Sequence, residues 1–126
     1  MNILIVDDDL SLQNYLRQRF TRWEYQVKCA QNGAEAVDLC SKIDFQLILL
    51  DLYLPQTDIV ELIQLLKILC MDTDIISMTG SNSPELERSI RELGILYYLI
   101  KPFEIDNLKA ILEHLSVRRN PSSRIA

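Results

Sequence analysis

Five polar residues carry most of the chemical content of this chain: Asp7, Asp8, Asp51, Thr79 and Lys101. They follow four short apolar runs, Asn2–Val6, Phe45–Leu50, Asp74–Met78 and Leu96–Ile100. Three carboxylates brought within a few ångströms repel one another and raise their own pKa values, so a triad of them is costly unless a cation binds it. Its donors would be oxygens only, without histidine or cysteine, which suits a hard ion: Mg2+, with Mn2+ as the alternative. Mg2+ commonly takes one or two carboxylates, keeps several waters and leaves positions for phosphate oxygens. The Lys101 ammonium would add a mobile positive charge for a developing phosphoryl group. The Thr79 hydroxyl suits a hydrogen bond to a phosphate oxygen, and Gly80 beside it leaves room for a bulky group. Together the residues suit a carboxylate nucleophile that accepts a phosphoryl group by metal-assisted in-line transfer.

Each residue alone has a plainer reading. Asp9 reads as a helix cap and nothing more, while for Asp7 or Asp8 alone a cap is one of two open readings; Thr79 would serve in a turn and Lys101 on the surface. The argument rests on the joint pattern: acids after the first and third apolar runs of the sheet, a hydroxyl after the fourth and lysine-proline after the fifth.

The elements between these positions alternate. Asn2–Val6 reads as a buried strand, and Leu12, Leu16 and Phe20 recur at helical spacing, with Tyr15 and Trp23 alongside. Gln26–Ala30 is a weaker strand; Asn32-Gly33 punctuates it, and Ala36, Val37 and Cys40 mark the next helix. Phe45–Leu50 is the most apolar strand candidate, followed by a helical stripe of Ile59, Leu62, Ile63, Leu66 and Leu69. After Asp74–Met78, Ser83-Pro84-Glu85 supplies a serine cap, a first-turn proline and an early acid. Leu86, Ile90 and Leu93 share one face of that helix, and Gly94 marks its end. Leu96–Ile100 is the fifth strand, and Leu108, Ile111, Leu112 and Leu115 form the last stripe. Five strand–helix units predict an α/β fold: a doubly wound parallel sheet of five strands with helices on both faces. In the flavodoxin-like order 2-1-3-4-5, strands one and three are neighbours at the point where strand order reverses, and ligands bind beyond the carboxyl ends there.

The 126 residues suffice for one domain, expected over 1–116, with 117–126 as a tail or the start of a linker containing Pro121 and Ser122-Ser123. Residues 1–116 hold all 18 acids and ten of the 13 basic residues, a formal charge of −8, while Arg118, Arg119 and Arg124 give the tail +3. An acidic body argues against direct nucleic-acid binding by this domain. No apolar run is long enough to span a bilayer and the first one stops at acids, so neither membrane insertion nor a signal peptide is expected, and the setting is read as cytoplasmic. Cys29, Cys40 and Cys70 show no CxxC spacing and read as small buried hydrophobes rather than bridges or zinc ligands. His114, the single histidine, reads as a surface residue.

The segments ILIVDDD at 3–9, NGAEAV at 32–37, LILLDLYLP at 47–55, ISMTG at 76–80 and YYLIKPF at 97–103 occur in an order that resembles the receiver domain of two-component response regulators, the chemotaxis-regulator type included. The resemblance covers about residues 1–116. It implies that Asp51 is the phosphoacceptor, served by a sensor histidine kinase or a phosphotransfer protein. It implies that Asp8, Asp51 and the backbone carbonyl of Tyr53 ligate Mg2+ directly, with Asp7 acting largely through water. Lys101 would pair with phosphoryl oxygens and its bond to Pro102 would be cis; Thr79 would move toward the phosphoryl group as Tyr98 changes rotamer. That rotation would reshape the surface of the fourth helix, fifth strand and fifth helix, where partners, a homodimer mate included, would bind. Such a chain phosphorylates and dephosphorylates itself as a switch and is not a turnover enzyme.

Two departures bear on local shape. Ile59 stands where many receivers have glycine, so the turn into the third helix is expected to differ or to carry strain. Ile95, Leu96, Tyr97 and Tyr98 put bulky apolar groups where an acid is common, and Val60, Leu65 and Ile68 lie off the main stripe of the third helix; these read as a thicker core or as a partner patch. Two other functional readings compete. A docking-only relative of the same fold would have no use for mutually repelling acids. Aspartyl-phosphate phosphatases carry a second aspartate two residues after the nucleophile, where this chain has Tyr53, and no glycine-rich nucleotide loop is present.

Overall fold

In the computed structural model, which describes residues 1–81 and 83–119, the chain alternates strands and helices from end to end. The order is β1 (Asn2–Val6), α1 (Leu10–Arg22), β2 (Gln26–Ala30), α2 (Gly33–Lys42), β3 (Leu47–Asp51), α3 (Ile59–Leu69), β4 (Asp74–Thr79), α4 (Pro84–Glu92), β5 (Tyr97–Ile100) and α5 (Ile105–Arg119). All four strand pairings are parallel and the sheet order is β2-β1-β3-β4-β5. Among the described residues no helix is long and apolar enough to cross a membrane.

A parallel sheet covered on both faces needs inner strands that are apolar on both sides; β1 and β3 are apolar between their end residues, and β4 adds one buried hydroxyl in mid-strand, Ser77, which donates to the Tyr97 carbonyl at 2.9 Å. Leu4, Val6, Ile48 and Leu50 point into a core closed by α2, α3 and α4, and Ile3, Ile5, Leu47 and Leu49 point into a second core closed by α1 and α5. The edge strands β2 and β5 are only partly covered.

Helix starts follow their caps. Asp9 accepts from the amides of Ser11 and Leu12, Asn32 from Glu35, Asp58 from Glu61 and Ser83 from Leu86, each satisfying donors that the first turn leaves free.

The strand limits differ from the sequence reading in a consistent way. β3 and β4 extend through Asp51 and Thr79, whose backbones stay in register with Met78 and Ile100. Phe45 is buried but precedes the ladder, and Leu96 lies outside β5 with its side chain 70% exposed. Ile59 is the first residue of α3 and is buried in the core, so no glycine-like conformation is needed there; the left-handed backbone of that connection falls at Gln56, φ 54°. Of the bulky segment at 95–98, Ile95 joins the core, Tyr97 and Tyr98 pack partly buried on opposite sides of the sheet, and Leu96 faces out. Leu65 and Ile68 of α3 are exposed. α5 continues to Arg119, past residue 116 where the sequence placed the domain limit; Pro121, Ser122-Ser123 and Arg124 lie outside the described residues.

Gly94 ends α4 at φ +87°, and a Cβ there would come within 3.0 Å of Lys67 Nζ. Lysine can swing aside, so the backbone conformation dominates the cost. Gly94→Ala should lower stability by about 1–2 kcal/mol, read as a lower urea midpoint with an unchanged slope.

Candidate functional site

The parallel register assembles the site at the carboxyl edge of the sheet. Val6 pairs with Leu50, so Asp7, just past β1, lies beside Asp51 at the end of β3. Thr79 ends β4, and the Lys101 amide continues that ladder by donating to the Thr79 carbonyl at 2.7 Å. The Lys101–Pro102 peptide bond is cis.

Asp7, Asp8 and Asp51 each place one carboxylate oxygen within 4.8 Å of the other two. Asp7 and Asp51 are buried and Asp8 is exposed. Lys101 Nζ donates to Asp7 Oδ2 at 2.8 Å and lies 3.5 Å from Asp51 Oδ2. The Asp9 amide donates to Asp7 Oδ1 at 2.9 Å and the Tyr53 amide to Asp51 Oδ1 at 3.1 Å. The free side of the cluster is oxygen-rich, negative and reached through the exposed Asp8, which fits a hard divalent cation.

Burial pushes the Asp51 carboxyl above its ordinary range, and the Asp7 charge adds to this; the Tyr53 amide and Lys101 oppose the rise without cancelling it. Burial pulls the Lys101 ammonium down, but its hydrogen bond to Asp7 and the nearby Asp51 charge outweigh that pull and leave it raised. The ammonium therefore stays charged between two buried acids.

Thr79 is fully buried, with its hydroxyl donating to the Ser81 carbonyl at 2.8 Å and accepting from the Ser81 amide at 3.1 Å. A Cβ on the adjacent Gly80 would meet open space. Tyr53 is exposed beside Asp51. Tyr98 packs against the α2–α3–α4 core, and among the described residues its buried hydroxyl has no hydrogen-bond partner. Burial, then the Glu87 charge, pushes that phenol upward.

One contributor escaped the sequence reading. Gln13 of α1 is 3% exposed, and its Nε2 donates to the carbonyls of Asp7 at 2.6 Å and Ala30 at 2.9 Å. It fixes the backbone that carries Asp7 and ties β1 to β2 where the ladder ends. The available signal was a polar residue next to Leu12 on the inward stripe of α1. Gln13→Leu should cost about 1–3 kcal/mol by leaving the Asp7 carbonyl unpaired, seen as a reduced urea midpoint.

The raised Asp51 carboxyl has a stability consequence of definite sign. The folded state binds this proton more tightly than the unfolded chain, so the contribution is fully present below the ordinary value of 3.8 and is lost as pH rises through the higher folded value. Asp51→Asn removes that loss. In chelator its urea midpoint should exceed wild type at neutral pH and converge on it below pH 3.8; a variant that is less stable at neutral pH would contradict this electrostatic account.

The chain is similar to known proteins over most of its length. The sequence profile of the response regulator receiver domain matches residues 3–113. The chain is 33% identical over 119 residues to sporulation initiation phosphotransferase F of Bacillus subtilis (strain 168), covering 94% of this chain and 96% of that protein. It is 34% identical to transcriptional regulatory protein ZraR of Escherichia coli (strain K12), covering 90% of this chain but only 26% of that longer protein. Among solved structures, a CheY-like response regulator receiver domain protein from Methanospirillum hungatei JF-1 superposes with a TM-score of 0.86 at 29% identity, covering 95% of this chain and 97% of that one. A response regulator protein from Burkholderia pseudomallei, solved with a phosphorylated aspartic acid, a calcium ion and citrate, superposes with a TM-score of 0.82 at 29% identity, covering 96% and 72%.

Proposed function

Because the chain belongs to the response regulator receiver domain family, we propose that Asp51 is the residue that accepts the phosphoryl group in this two-component signalling module. The observation that carries the assignment is the position of Asp51 within 4.8 Å of the Asp7 and Asp8 oxygens and 3.5 Å from Lys101 Nζ. A phosphorylated aspartate and a divalent cation in the Burkholderia relative support it. Receiver domains of this family work with histidine kinases or phosphotransfer proteins, and such a protein is the proposed donor here.

In the proposed step an Asp51 carboxylate oxygen attacks phosphorus in line, and the bond to the donor breaks with its electron pair leaving on the donor. The Tyr53 amide holds the other Asp51 oxygen, which orients the attacking one. Lys101, already between Asp7 and Asp51, is placed to pair with the oxygens of the arriving phosphoryl group. Asp8, Asp51 and the Tyr53 carbonyl are the proposed direct ligands of Mg2+, with Asp7 acting through water; bound there, the ion supplies charge neutralisation for the acids and the phosphoryl oxygens.

The switch follows from two hydroxyls. To reach a phosphoryl oxygen the Thr79 hydroxyl must leave the Ser81 carbonyl, and the space beside Gly80 accommodates that group. Tyr98, whose buried hydroxyl has no hydrogen-bond partner among the described residues, is the residue proposed to rotate with it. That rotation alters the α4–β5–α5 face, where Leu96, just before the edge strand, and Ile100, at its end, are exposed and offer an apolar contact for a target or a second copy.

The test is intact mass after incubation with acetyl phosphate and Mg2+. One phosphoryl adduct should form, and it should be absent from Asp51→Asn and from a chelated sample. A folded wild-type protein that binds Mg2+ yet gains no adduct would overturn the assignment in favour of a docking-only module.

A further inference from the structure

The peptide between the first two acids is held by a side chain from another element. Gln13, one turn into α1, is buried, and its Nε2 donates to the Asp7 carbonyl at 2.6 Å and to the Ala30 carbonyl at 2.9 Å. One primary amide thus uses both of its N–H bonds on main-chain carbonyls. The Ala30 carbonyl also accepts from the Asp7 amide at 3.0 Å, and the Gln13 amide donates to the Asp9 carbonyl at 3.0 Å. Asp7 is therefore fixed through its amide, its carbonyl and its carboxylate, the last by Lys101 at 2.8 Å and the Asp9 amide at 2.9 Å. Asp8 is exposed, and its amide shares the peptide plane whose carbonyl Gln13 holds. The β1–β2 ladder ends at the pair Val6 and Ala30. A bond to Ala30 alone would fasten that ladder, yet the shorter bond goes past its end, to the peptide between the two acids.

We propose that Gln13 is a positioning residue for the divalent cation: it holds the Asp7–Asp8 peptide in the plane from which both carboxylates face Asp51 before an ion arrives. This role rests on the reading of these acids as Mg2+ ligands. Oxygens of Asp7, Asp8 and Asp51 lie within 4.8 Å of one another and repel, so without an ion the exposed Asp8 is driven to turn away. Rotating the Asp7–Asp8 peptide is the simplest way to do so, but it breaks the 2.6 Å bond and leaves the buried Gln13 amide and the Asp7 carbonyl unpaired. Gln13 thereby keeps the repelling arrangement in place, and the ion meets ligands that need no reorganisation. The chemistry requires a neutral side chain with two donors on one atom. Methionine has nearly the same length and no donor, and glutamate would aim a carboxylate at both carbonyls.

The experiment is titration calorimetry of the full chain with Mg2+ alone. Gln13→Met should raise the Mg2+ dissociation constant about tenfold. With acetyl phosphate as donor, the Mg2+ concentration that gives half the maximal adduct rate should rise by the same factor, while the rate at saturating Mg2+ should change by less than about twofold. Gly94→Ala loosens the chain beside the start of β4, at the other end of the sheet, and should bind Mg2+ as wild type does. That contrast separates positioning from a general loss of stability. A folded Gln13→Met protein that binds Mg2+ as tightly as wild type, or that weakens no more than Gly94→Ala, would overturn the proposal. A wild-type protein that binds no Mg2+ would instead overturn the metal reading on which it rests. If Gln13→Met does not fold, heteronuclear NMR of wild type decides: the two Gln13 side-chain amide protons should shift with the midpoint of Mg2+ binding, and unmoved protons would overturn the assignment.

Discussion

The structure turns on how a sheet of apolar strands tolerates acids at its end. Asp7 is wholly buried and Asp51 nearly so, and among the described residues the cation that reaches both is Lys101, 94 residues along the chain from Asp7. Two buried like charges are unfavourable, and removing the lysine would leave both acids buried and uncompensated, the kind of change that typically costs about 3–5 kcal/mol. The fold therefore has to deliver β1, β3 and β5 in a fixed order for the ion pair to exist. The cores on the two faces carry the compensating stability, with the inner strands contributing fully buried Leu, Ile and Val side chains of about 2 kcal/mol each. Residual electrostatic strain stays at the end of β3, where burial makes the Asp51 carboxyl hold its proton more tightly than usual.

Much of this was legible in the sequence because apolar runs report burial and burial defines a parallel sheet. The runs did not report where the ladder stops. Asp51 and Thr79 look like terminators, yet their backbones still pair, whereas Phe45 looks like strand and only fills the core. Caps were readable because they depend on neighbours three residues away: Asp9 and Ser83 do what their types suggest. The role of Gln13 was not readable, since it depends on how a crossover helix seats against the end of the sheet. The turn into α3, expected to differ or to carry strain, has its left-handed residue at Gln56, φ 54°, while Ile59 opens the helix behind the Asp58 cap.

The two edges of the sheet are built differently. At the amino edge the Gln46 side chain accepts from the Asn2 amide at 2.6 Å, Thr73 donates to the Phe45 carbonyl at 2.6 Å, and Arg119 binds both Asp74, at 3.2 Å, and the Asp72 carbonyl. These contacts fasten the starts of β1, β3 and β4 and dock the last turn of α5. At the carboxyl edge several side-chain contacts are exchangeable: a hydroxyl on its own turn, an ammonium shared by two acids, and a phenol with no partner among the described residues. A sheet anchored at one edge and adjustable at the other confines rearrangement to the end that carries the acids.

The burial of β1 and β3 on both faces also sets how the chain breathes. Their amides bond to neighbouring strands and have side chains above and below, so no local fluctuation brings water to them. Their hydrogens should exchange with deuterium only when the whole molecule opens, while those of edge strand β5, partly exposed along its length, should exchange through smaller openings. The slowest-exchanging amides of the protein thus run directly up to Asp7 and Asp51, which makes the acidic end of the sheet the terminus of its most rigid backbone.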